Sequence, residues 1–159
     1  MSTSRDSGDS GWLAAAIPPN EAERLAALRE YEVLDTPPEQ VFDNLTWLAN
    51  FICGTPMALV TLIDRHRQWF KSRVGFDSTE SPRSESICAH AVLKPDAIFE
   101  VPDTTKDKRF AGMPAIVSGP CVRFYAGAPL VGARGYAVGT ICVMDREPRA
   151  LSKEQRHAL

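Results

Sequence analysis

The chain has no CxxC pair, no apolar run near the length of a membrane span and no excess of basic residues. Each absence removes a class of function. Cys53, Cys88, Cys121 and Cys142 are widely spaced, so neither a zinc ribbon nor a thioredoxin-type motif can be built from them. Each reads by default as a small apolar side chain with a free thiol, as in a reducing compartment. A spanning helix needs about 20 consecutive apolar residues, so membrane insertion of this segment is not expected. Lys and Arg number 18 against 20 Asp and Glu, a net charge of −2. Phosphate backbones are held by basic surfaces, so nucleic acid is not expected as a partner. The opening Met1–Gly11 is rich in Ser, Asp and Gly, and only the short apolar stretch Trp12–Ile17 follows it. A signal peptide has a basic start and a longer apolar centre. Met1–Pro19 is therefore expected to be a disordered lead-in, and the chain cytoplasmic.

What is present is the material of one domain. With 159 residues, 44% apolar and 24% charged, the chain can bury one sizeable core. Asn20-Glu21-Ala22-Glu23 has the form of a capping box, and a first helix is expected from there to about Leu34. Thr36-Pro37-Pro38-Glu39 predicts a second start, with Thr36 as N-cap and Pro37 at the first helical position. Val41, Leu45, Leu48 and Ile52 follow at helical spacing and read as a core stripe, stopped by Gly54 and Pro56. From Met57 the period changes. Met57–Ile63 and the alternating Gln68–Val74 predict a hairpin. Short elements are expected over Ser84–Leu93 and Ala97–Val101, then an irregular stretch over 102–120. Two longer strands, Val122–Leu130 and Tyr136–Asp145, flank a Gly-containing turn. Ser152-Lys153-Glu154-Gln155 opens a last helix, over 152–159, and a natural protein continuing past Leu159 is the expectation from so short a helix. The order predicts an α+β fold, an antiparallel-type sheet with helices packed on it.

An ordered series of segments carries a resemblance: Asn20–Tyr31 followed by Leu34–Glu39, Val60–Asp64 with Gln68–Ser72, Ser84–Val92 around Ser86–Ala91, Val101–Asp103 with Asp107–Phe110, Val122–Leu130, and Val138–Asp145 with Pro148-Arg149. Together they cover Asn20–Leu159, and this region resembles the GAF domain family. The likeness is to the subgroup at the front of bacterial sensor histidine kinases, as in two-component systems, and of cyclic di-GMP enzymes such as diguanylate cyclases. The resemblance implies a central antiparallel sheet of five or six strands. Helices would pack on one face, and loops with a short helix would cover a ligand cavity on the other. It also implies a homodimer through the N- and C-terminal helices.

The site candidates are Trp69, Cys88, His90, Asp103, Phe110, Arg123 and Tyr125, all as ligand-binding residues, with no catalytic residue and no metal ligand among them. Arg123 and Tyr125 share one face of a strand. Burying a guanidinium beside a phenol is costly without polar partners, so that face should meet either a ligand or polar groups of the crossing, Asp103 foremost. Cys88 and His90, two apart on a helix, diverge, which argues against a nucleophile pair, and no further ligands stand near for a metal. Trp69 and Phe70 read first as sheet aromatics, and Phe110 as an inward anchor. Bilin attachment is disfavoured because Ala89 separates Cys88 from His90, and no cyclic-nucleotide motif is evident. The expected function is a non-catalytic sensory domain for a small molecule of unknown identity, and no cofactor is named. Two rivals are a thiol-based redox enzyme using Cys88 or Cys121, related to free methionine sulfoxide reductases, and a ligand-free dimerisation module.

Overall fold

Strand alternation sorts the chain onto two sides of one sheet. The computed structural model describes residues 11–159. Its six strands are β1 Met57–Ile63, β2 Arg67–Val74, β3 Glu80–Pro82, β4 Phe99–Val101, β5 Phe124–Val131 and β6 Ala137–Asp145. They pair antiparallel in the order β3-β2-β1-β6-β5-β4. The fold is α+β, as expected. In β1, Met57, Leu59 and Ile63 point to the main core, while Ala58 and Leu62 point to two smaller clusters on the other side. Helices α1 (Glu21–Glu30), α2 (Gln40–Cys53) and α5 (Lys153–Ala158) belong to the second side. The first side is covered by a crossing that contains a 3₁₀ turn at Arg83–Glu85, α3 (Cys88–Ala91), a 3₁₀ turn at Thr104–Lys106 and α4 (Pro114–Val117).

The local reading of the helices needs four corrections. Asn20 makes no side-chain cap. The carboxylate of Glu21 turns instead to Arg24 and Arg83, and Arg24, fully buried, also donates to the Ile63 carbonyl at 2.8 Å. Helix α1 stops at Glu30, before the left-handed Glu32 and Asp35. Helix α2 starts at Gln40 and not behind Thr36. Lys71 is the cause, because its buried ammonium draws Thr36 Oγ1 at 2.6 Å, the Pro37 carbonyl at 2.8 Å and Glu39 at 2.5 Å. The most consequential correction concerns the α2 stripe. Val41, Leu45, Leu48 and Ile52 are exposed, and the residues α2 buries are Thr46, Ala49 and Cys53. Small side chains let the helix lie close to the sheet, so the large ones turn outward. Gly54 ends the helix in the left-handed region at φ 63°, as its position predicts.

Residues 1–10 of the expected disordered lead-in lie outside the described residues, but 11–17 is held against the crossing. The Trp12 indole donates to the Ser84 carbonyl at 3.0 Å, and the Leu13 amide to the Arg109 carbonyl at 2.9 Å. Trp12 and Ala15 pack on the main core. The capping box at Ser152 and Gln155 is formed in both directions.

Candidate functional site

The side of the sheet under the crossing holds a cavity of about 80 Å³, with Leu59, Phe70, Cys88, Met113, Tyr125 and Met144 among its lining. Its floor follows from alternation. Tyr125 on β5 pairs with Met144 on β6, and Cys142 stands two residues from Met144 on the same face. Gly127 makes room for the phenol, since a Cβ there would collide with the Tyr125 hydroxyl. That hydroxyl donates to Cys88 Sγ at 3.0 Å, and Cys142 Sγ lies 3.8 Å from Cys88 Sγ. Thr61 and Thr140 join hydroxyls at 3.1 Å in the same buried layer. Burial opposes ionisation of the Cys88 thiol. Hydrogen bonds from Cys142, Thr140, Tyr125 and Thr61 outweigh it and bring its pKa down to about 7. The Cys142 thiol is pushed up, first by its hydrogen bond to Cys88 and then by burial. The Tyr125 phenol is pushed up by burial and by the neighbouring sulfurs.

Of the seven residues expected to gather around a ligand, Cys88 and Tyr125 line this cavity. His90 lies beside it in an aromatic cluster, edge-on to Phe110 at 4.9 Å and stacked near Phe99 at 6.4 Å. Its Nε2 is 3.0 Å from the Leu13 carbonyl oxygen, which only accepts, so Nε2 carries the proton. Burial lowers the pKa of the ring. Cys88 and His90 thus diverge as their spacing requires. Phe110 is fully buried, as expected of an inward anchor, with Arg109 over its face at 4.9 Å. Asp103 and Arg123 form the expected pair, at 3.1 and 3.0 Å. Arg123 lies just before β5 and its charge is satisfied there, so it does not reach into the cavity. Arg123 holds the Asp103 carboxyl well below the usual range, helped by Thr105.

Trp69 is placed on the wrong side for this site. It packs with Leu28, Leu62 and Val138 under α1, while its neighbour Phe70 faces the cavity. The register explains the next residues too. Val60 pairs with Ser72 and Thr61 with Phe70, so Lys71 is an extra residue in β2. Ser72 is thereby turned to the α2 side, where it donates to Asp43 at 2.6 Å. The sequence reading missed Cys142, Met144, Phe70 and Met113. For Cys142 and Met144 a signal existed, because Thr140, Cys142 and Met144 alternate with Ile141 and Val143 along β6. For Met113, inside irregular chain, none did. Cys121 is exposed, with φ 54°; the sulfur brought to Cys88 is that of Cys142. Among the described residues no group of His, Cys, Asp and Glu is arranged to hold a metal, and no helix is long and apolar enough to cross a membrane.

Comparison with known proteins bears on the family and the fold. The chain is 39% identical over 142 residues to a cyclic di-GMP phosphodiesterase of Pseudomonas aeruginosa, a match that covers 89% of this chain and 24% of that protein. The chain thus spans about a quarter of that relative's length. Among solved structures, a GAF domain of an Acinetobacter phosphoenolpyruvate-protein phosphotransferase superposes with a TM-score of 0.60 at 16% identity, covering 86% of this chain and 85% of that one. A domain of a two-component sensor histidine kinase protein from Sinorhizobium meliloti gives 0.60 at 15%, covering 78% and 83%. A free methionine-R-sulfoxide reductase from Thermoplasma acidophilum gives 0.59 at 19%, covering 83% and 86%. At these identities the likeness is one of fold alone. The sequence pattern of the GAF domain matches residues 37–159, and the chain belongs to the GAF domain family.

Proposed function

We propose that this chain is a sensory GAF domain, not itself catalytic, that couples a small molecule in the cavity to a homodimer and so regulates a signalling output domain. The observation that carries the reading is the cavity under the crossing, floored by Tyr125 and lined by Cys88, Phe70 and Met113. Ligand pockets commonly measure about 300 Å³ or more. At about 80 Å³, this one takes a very small molecule, or a larger one once the crossing has moved. Such movement is what a switch needs, because a ligand shifts an equilibrium only by binding its two states differently.

The dimer was expected through the terminal helices; in this proposal its seam moves to α2. That helix carries one charge, Asp43, in 14 residues, and presents Val41, Leu45, Trp47, Leu48, Phe51 and Ile52 to solvent. An exposed apolar face of this kind marks an interaction surface, and a like helix of a second copy matches it in lacking charge. The phosphodiesterase relative, of which the matched region is 24%, supports a regulatory rather than a catalytic part. The reading places the chain in the cytoplasm, where free cysteines, of which it has four, are reduced at rest.

The test is native mass spectrometry of freshly purified protein to find a bound small molecule, followed by hydrogen exchange with and without it. Ligand is expected to protect residues 81–115 and to change exchange in α2 and α5. A bound ligand that left both helices unchanged would overturn the coupling. The small cavity favours a second reading, a dimerisation module that holds no ligand. A dimer with no bound mass, and with no melting shift across a metabolite panel, would establish that one instead.

A further inference from the structure

We infer that Cys88 and Cys142 form a peroxide-sensitive dithiol, in which Cys88 reacts with a small hydroperoxide entering the cavity and Cys142 resolves it to a disulfide. The two sulfurs stand 3.8 Å apart, in direct contact inside the core, with no third side chain between them to block a bond. A disulfide sets sulfurs at about 2.05 Å, so closure needs a shift of under about 2 Å. Cys88 is on the four-residue α3, held between loops, while Cys142 is fixed in β6 between β1 and β5. The helix is therefore the side that moves. Cys88 lines the cavity directly, whose rim includes the half-buried Ser81, Glu85 and Ala115, so a molecule as small as hydrogen peroxide has a path to the sulfur.

The polar surroundings of Cys88 serve a thiolate better than a thiol. Tyr125 donates to its sulfur at 3.0 Å, and its pKa falls to about 7. His90, two residues further along, donates its Nε2 proton to the Leu13 carbonyl and not to the sulfur. Stabilisation thus comes from hydroxyl and thiol donors and not from an adjacent charge. In the first step Cys88 thiolate attacks one peroxide oxygen. The O–O bond breaks, and the departing oxygen takes a proton and leaves as water or an alcohol. Cys88 becomes a sulfenic acid. In the second, Cys142 sulfur attacks Cys88 sulfur; the S–O bond breaks, water leaves, and the thiol proton is accounted for in that water. Two thiols lose two electrons and the hydroperoxide gains them.

This inference stands apart from the ligand-sensing reading, because it is scored by counting thiols. The whole chain is treated with hydrogen peroxide, quenched, unfolded, and its free thiols and peptides are measured. The expected result is a fall from four titratable thiols to two, with a Cys88–Cys142 linked peptide and Cys53 and Cys121 still free. Cys142→Ser should leave a Cys88 sulfenic acid that dimedone traps. Tyr125→Phe should slow Cys88 oxidation about tenfold, the loss of one hydrogen bond to a charged group. Oxidation confined to exposed Cys121, or oxygen added to the cavity methionines Met113 and Met144 while both Cys88 and Cys142 still titrate, would overturn it. Should a variant fail to fold, the peptide map of the unmutated chain decides alone.

Discussion

The two faces of the sheet are made from the same strands, yet they meet their coverings in opposite ways. Under the crossing the large side chains go inward: Phe110, Met113 and Tyr125 are all 0–1% exposed. On the other face α2 lays Thr46, Ala49 and Cys53 on the sheet, while Trp47 and Phe51 remain 56% and 69% exposed. Irregular chain can bend to bury whatever it carries, whereas a helix commits one stripe to the sheet and its opposite stripe to something else. The first face therefore holds the largest buried apolar cluster, each Å² of it contributing about 25 cal/mol. The second holds a large apolar surface left over for a partner. Stability should reside mainly on one side and association on the other.

The sharpest way to break this contrast is Phe110→Ala. Phe110 meets His90, Phe99 and Arg109, so truncation leaves a hole among rings that cannot collapse freely. The expected loss is about 3–5 kcal/mol, read as a lower urea midpoint with an unchanged slope. A loss under about 1 kcal/mol would mean that the crossing is not a packed part of the core. On the other face, Ala49→Leu enlarges a buried position at the contact of α2 with the sheet. There the expected loss is about 1–3 kcal/mol, because the helix must lift or the new side chain must leave its rotamer. If this change were neutral, the close seating of α2 would not be what turns Leu45 and Leu48 outward.

Elements were legible in the sequence to the extent that their cause was local. Both hairpin strands, the long β5–β6 pair, Gly54 as a stop and the Ser152 capping box follow from period and turn chemistry alone. The Asp103–Arg123 pair followed from the cost of an unpartnered charge. What failed had a distant cause. The start of α2 depends on Lys71, the extra residue of β2, whose buried ammonium gathers Thr36, Pro37 and Glu39. The cap expected of Asn20 gives way to a carboxylate shared between Arg24 and Arg83, 62 residues further on. Period also identifies an apolar stripe without saying what covers it, so the Val41–Ile52 stripe was assigned to the core when Ala49 and Cys53 hold that place. In the site, alternation pointed to Tyr125 and could have pointed to Cys142. It could not place Trp69 under α1, because that requires knowing which face of β2 the helices occupy.

The smallest expected effect on folding is also the one that probes the second face most directly. Trp47 and Phe51, one turn apart on α2, stack at 5.3 Å with an angle of 10° between rings. Replacing Phe51 by Ser removes that contact but uncovers nothing buried, and Ser costs a helix only a few tenths of a kcal/mol. In dilute protein, where copies are apart, stability should stay within about 0.5 kcal/mol of the parent. Association should respond quite differently, because truncating a central aromatic of an interface commonly costs about 2 kcal/mol or more. Sedimentation over a range of concentrations should then show the dissociation constant rising by at least about tenfold. Thermal midpoints of the parent should rise with concentration, and those of Phe51→Ser should not. Equal sedimentation of the two proteins would leave α2 as a solvent-facing helix and remove the basis for a seam there, while the packed face under the crossing would be untouched by that result.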